Sequence, residues 1–172
     1  MRLRAQAALL AALVVVLPLS HVQWRASDDS WLLWVDGRPV DVAGMLSNGY
    51  AALTRDCSLV QTLAPGSAAH ADVLAAIRQH SPPDSASAQL VQLSRQGEWW
   101  LAQAQFQALQ EAVLLLAPSA QGLGVVPGAV WSGPTHPHKP EPVIRRYLHA
   151  RAPGAPASLL ACFEHGNPPV LH

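Results

Sequence analysis

Apolar and polar positions along the chain change period several times, and each change predicts an element. Residues 7–19 are apolar throughout apart from Pro18, and Arg2 and Arg4 precede them. This is the charge-then-hydrophobe order of a secretory leader. No small-x-small triplet follows the run, and residues 5–24 approach the roughly 20 apolar positions that a single span requires. Residues 1–26 therefore read either as a signal peptide or as an uncleaved membrane anchor, with Trp24 at the interface and the arginines inside.

A short polar link at 27–30 leads into Trp31-Leu32-Leu33-Trp34-Val35, then Asp36-Gly37-Arg38-Pro39, then Val40-Asp41-Val42. The order predicts a strand, an Asp-Gly turn and a return strand. Trp31 and Trp34 are read as core or membrane-proximal packing rather than a recognition patch, since tryptophan is usually mostly buried. Over residues 43–63, Leu46, Tyr50, Leu53, Cys57 and Val60 recur at spacings of three and four, which predicts a helix ended by Pro65-Gly66. A second helix is expected over 68–79, with Ala69, Val73, Ala76 and Ile77 on one face, stopped by Ser81-Pro82-Pro83-Asp84.

The block at 97–131 fits two periods. With a helical period, Trp99, Ala102, Phe106, Leu109, Val113 and Leu116 align, giving a mostly α chain with one long central helix at 98–117. With a period of two, Trp100, Ala102, Ala104, Phe106 and Ala108 share one face and Gln103, Gln105 and Gln107 take the other. The flanks favour the second reading: Arg95-Gln96-Gly97 resembles a hairpin loop behind the alternating 89–93, and strand-like Val125-Val126 and Ala129-Val130-Trp131 follow the 118–122 break. Helices first and strands second then predict an α+β fold, with helices packed on one face of an antiparallel β-meander. Residues 132–142 carry four prolines and read as an exposed loop. A short helix at 143–150 and a last strand at 158–163 complete the expectation. The whole is one exported domain at 27–172.

Composition narrows the function. Half the residues are apolar and 13% are charged, which fits a globular chain. Arg2, Arg4 and Arg25 take three of the eleven basic side chains, leaving eight against eleven acidic ones from Ser27 onward. That balance gives no footprint for nucleic acid. The only two cysteines, Cys57 and Cys162, pair most simply as one disulfide in an exported chain.

Candidate chemistry is sparse. No Gly-x-Ser-x-Gly elbow and no phosphate-binding loop is present, and no cofactor is implied. His136 and His138 are the one closely spaced histidine pair, and in an extended loop both imidazoles can face one metal ion, with Glu141 adding an oxygen ligand. Trp99 and Trp100 must point to opposite faces of a strand, so one of them, with Trp131, can line an aromatic face for a partner. The functional expectation is a non-enzymatic binding or accessory protein of the cell envelope. It would sit on the periplasmic side of the inner membrane, anchored there through its N-terminal segment or released, with an envelope or membrane protein as partner. The alternative is a small exported enzyme or metal-binding protein built on the His136/His138 loop.

Overall fold

A computed structural model describes residues 21–27 and 30–166. The fold is α+β, with two antiparallel sheets and helices between and after their strands. The expected leader or anchor over residues 1–20 lies outside the described residues. The end of the 1–26 segment does not continue it, because Val22–Ala26 forms strand β1. Among the described residues, no helix is long and apolar enough to cross a membrane.

β1 pairs with β2, Trp31–Val35, and β2 with β3, Arg38–Val40, in a three-stranded sheet of order β1-β2-β3. Asp36 and Gly37 make the β2–β3 turn with φ of 48° and 77°. Two consecutive positive φ values suit a tight hairpin and explain the Asp-Gly pair. The turn is two residues shorter than expected, so Arg38 and Pro39 belong to the return strand.

Helix α1 follows at Val42–Thr54, well short of the predicted 43–63. Arg55 is extended, and the Ser58 N–H donates to Asp56 Oδ1 at 2.9 Å, a local turn that competes with further helix. Cys57 therefore sits in a loop, not in a helix. After the two-residue strand β4, Gln61–Thr62, comes α2, Ala68–His80. Ser67 Oγ accepts from the His70 N–H at the start of α2. At its end the buried Ser85 hydroxyl donates to the Arg78 carbonyl and accepts from the Ser81 N–H, satisfying groups that a helix end leaves open.

Strands β5, Gln89–Gln96, β6, Trp99–Gln105, β7, Ala112–Ser119, and β8, Gly122–Ser132, form a sequential antiparallel meander, with β4 added at the β5 edge. The period-two reading of 97–131 is the one the chain adopts, and no central helix forms there. Both faces of the sheet are covered. On one, Val73 and Ile77 of α2 pack with Leu93, Trp100, Ala102, Ala104, Leu114 and Leu116. On the other, Leu101, Val113, Leu115 and Ala129 meet Ile144 and Leu148 of α3, Pro140–Arg151, and Leu159 and Leu160 of α4, Ala157–Ala161.

Helices thus flank the sheet on two sides rather than the one expected from their order in the sequence. The predicted last strand at 158–163 is instead the short helix α4, with Cys162 just past its end. The proline-rich loop shrinks to 133–139, since β8 runs through Ser132 and Pro140 opens α3, a position where a missing N–H costs nothing.

Cys57 and Cys162 form the expected disulfide, with Cα atoms 5.9 Å apart. It ties the loop after α1 to the end of α4, and the Arg55–Glu164 ion pair crosses the same junction. A disulfide fits an oxidising, extracytoplasmic compartment.

Candidate functional site: an inside-out helix and its Asp41 clamp

The apolar stripe predicted for α1 exists, but it faces solvent. Leu46, Tyr50 and Leu53 are 70%, 71% and 88% exposed, and Met45 beside them is also exposed. A surface helix ordinarily turns such a stripe to the core. Here the inward side carries small and polar residues instead. Gly44 is the one fully buried residue of the helix, and Asn48 accepts a hydrogen bond from Arg145 Nη2 of α3 at 3.1 Å. Between Val42 and Thr54 there is no charged side chain at all.

Asp41 ties down the start of this helix. Its Oδ1 accepts from the Gly44 N–H at 2.8 Å, capping α1, and its Oδ2 accepts from the Lys139 N–H at 2.8 Å, at the start of α3. One buried carboxylate therefore serves the amino ends of two helices, where their dipoles favour negative charge. The approach is close enough that a Cβ on Gly44 would lie 2.0 Å from Asp41 Oδ2. Arg145, which reaches Asn48 in the middle of α1, also donates to the Phe163 carbonyl. Burial lowers the Arg145 guanidinium from its ordinary pKa, and Arg55 adds to this while Glu141 and Glu164 oppose it.

His138 is buried against the same clamp. Ser27 Oγ lies 3.1 Å from its Nε2 and Ser30 Oγ lies 3.2 Å from its Nδ1, so each ring nitrogen has a hydroxyl partner. Asp41 Oδ2 is 3.8 Å from Nδ1. Serine, histidine and aspartate thus meet, but the last link is too long for the hydrogen bond that orients a catalytic imidazole. Both Asp41 oxygens are already committed to backbone donors. The adjoining cavity, lined by Ser30, Asp41, Ser47, His138 and Arg146, holds about 140 Å³. Ligand pockets run to roughly 300–1,000 Å³. The arrangement works as a structural clamp between the N-terminal sheet, α1 and the loop before α3.

The other anticipated site residues separate. His136 is exposed whereas His138 is buried, so the loop does not present the two imidazoles alike. Among the described residues, no group of three or more His, Cys, Asp or Glu side chains gathers where it could hold a metal.

Trp99 and Trp100 do take opposite faces of β6, yet each is packed beneath helices. Trp99 and Trp131 are half-buried against the α3–α4 side. Trp100 is buried on the α2 side, where the Arg95 guanidinium lies 4.6 Å from its ring centroid. Its edge borders an open concavity of about 620 Å³ shared with Asp72, Gln79 and Leu123.

The exposed tryptophans are different ones, Trp24 and Trp31 of the N-terminal sheet. Sequence periodicity located the α1 stripe but not its direction. The readable signal was the composition of the opposite side, Gly44, Asn48 and Ala51, which suits close helix packing better than solvent. No protein-family model matches this chain, and neither a curated protein nor a solved structure is detectably similar to it.

Proposed function

We propose that the chain is a non-enzymatic binding or accessory protein of the cell envelope, working on the periplasmic side of the inner membrane and docking a protein partner through α1. The observation that carries this reading is the reversed helix. Its large apolar side chains, Leu46, Tyr50 and Leu53, point outward at i, i+4 and i+7. That spacing is how a helix anchors in an apolar groove of another protein.

The absence of charge on α1 separates this occupant from a lipid surface. Helices that lie on membranes carry Lys or Arg along their polar face, and α1 has none. The disulfide supports the extracytoplasmic placement. The leader-like apolar run at 7–19, behind Arg2 and Arg4, supports placement at a membrane.

A photo-reactive amino acid at Leu53, introduced into the full chain in cells, is expected to yield a discrete protein adduct. The same probe at exposed Gln79 on α2 is expected to yield none. Leu46→Glu combined with Leu53→Glu is expected to abolish the adduct formed by a probe at Tyr50. Because both leucines are exposed, each change is expected to alter stability by no more than about 0.5 kcal/mol. Equal adduct patterns at Leu53 and Gln79, or an adduct at Tyr50 unaffected by the two glutamates, would remove the basis for the proposal.

A further inference from the structure

We infer that the open face of the N-terminal sheet docks on the lipid bilayer itself, a second surface independent of α1. The register fixes what that face carries. Val22, Val35 and Arg38 form the row where the chain comes in. Trp24, Leu33 and Val40 form the middle row, and Ala26 and Trp31 the last. Cross-strand partners share a face of a sheet, so seven of these eight side chains make one continuous apolar surface.

The opposite face carries Gln23, Arg25, Leu32, Trp34 and Pro39. Leu32 is buried there, and Arg25 lies over the Trp34 ring at 4.6 Å from its centroid. The sheet therefore rests on its Leu32 side. On the other side no residue is buried, and Trp24 and Trp31 are 58% and 61% exposed.

Chain geometry points to lipid as the occupant. The apolar run at 7–19 ends five residues before Trp24. Five residues span at most about 17 Å when fully extended. If that run enters a bilayer, Trp24 is tethered near the headgroup layer, and its neighbours on the same face are held there with it. Tryptophan favours this zone, since its ring is apolar while its N–H can reach polar groups. Arg38, exposed on the same face, has an apolar stem and a guanidinium suited to lipid phosphate. The surface thus pairs two interfacial rings with one cation, a combination α1 lacks.

The test uses the full chain reconstituted in vesicles of phosphatidylcholine and phosphatidylglycerol, with and without brominated acyl chains, reading tryptophan emission. Bromine is expected to quench a substantial share of the emission. Trp24→Phe with Trp31→Phe is expected to remove most of that share, whereas Trp99→Phe with Trp131→Phe is expected to leave it. Circular dichroism of both variants checks that the fold persists, as expected for side chains more than half exposed.

A quenched share that is the same in the wild-type chain and in the Trp24/Trp31 variant overturns the inference. So does unquenched emission accompanied by a concentration-dependent dimer that Trp24→Glu disrupts, because a second copy would then cover this face.

Discussion

Replacing Cys57 and Cys162 together with alanine is expected to lower the folding free energy by about 4–5 kcal/mol. The bridge joins residues 105 positions apart, and the effect comes chiefly from the denatured chain, which regains the freedom that the closed loop denied it. A domain of this size has roughly 5–15 kcal/mol in all, so the loss is at least about a quarter of it. Urea denaturation of the oxidised wild-type chain and the double variant measures the difference. Wild-type protein with its bridge reduced is expected to fall close to the variant. A difference below about 1 kcal/mol would mean that the bridge constrains little.

The loss has a place as well as a size. α1 buries few large apolar side chains, so its ends hold it. The disulfide and the Arg55–Glu164 pair lie just beyond its C-terminus, and Asp41 lies at its N-terminus. Amide exchange in α1 is accordingly expected to accelerate in the cysteine variant before the meander loses protection. If α1 presents the partner-binding stripe, the bridge contributes to binding by keeping that stripe ordered.

The meander was legible because its strands obey a simple alternation and its turns carry glycine at positive φ, as Gly97 does at 60°. The second covering layer was legible only in part. Ala112–Leu116 is apolar without a break, the mark of a strand buried on both faces, and it contradicted the idea of one open face. The glutamines of β6 suggested the opposite. Gln103 looked outward-facing, yet it is buried and its Nε2 donates to Glu111.

The run at 158–163 was ambiguous because five or six apolar residues fit a strand or a helical turn equally well. Pairing of Cys57 with Cys162 needed no geometry, as the chain has no other cysteines. The clamp was invisible for a different reason. Asp41 and the backbone of Lys139 lie 98 positions apart, and nothing local in either segment announces the contact. His138 was singled out for its nearness to His136, whereas its partners are Ser27 and Ser30, more than a hundred positions away.

Asp41→Ala is expected to destabilise the chain by about 3–5 kcal/mol. It removes two hydrogen bonds to an ionised acceptor, each worth roughly 1.5–3 kcal/mol, and leaves the Gly44 and Lys139 N–H groups without their partner. Asp41→Asn keeps one carbonyl oxygen but turns an NH₂ toward the other donor, so about half of that loss is expected.

Gly44→Ala gives the sharper result, because its sign depends on residue 41. In the wild-type chain the new Cβ would fall 2.0 Å from Asp41 Oδ2, so the carboxylate must leave both donors and the change is destabilising. In the Asp41→Ala background that oxygen is gone, and alanine's helix propensity is about 0.8–1 kcal/mol better than glycine's. There the same substitution is expected to be neutral or stabilising. A double-mutant cycle on thermal or urea unfolding reads the coupling directly. Additive effects would mean that the carboxylate and Gly44 do not constrain each other, and that the start of α1 is tied down by some other contact.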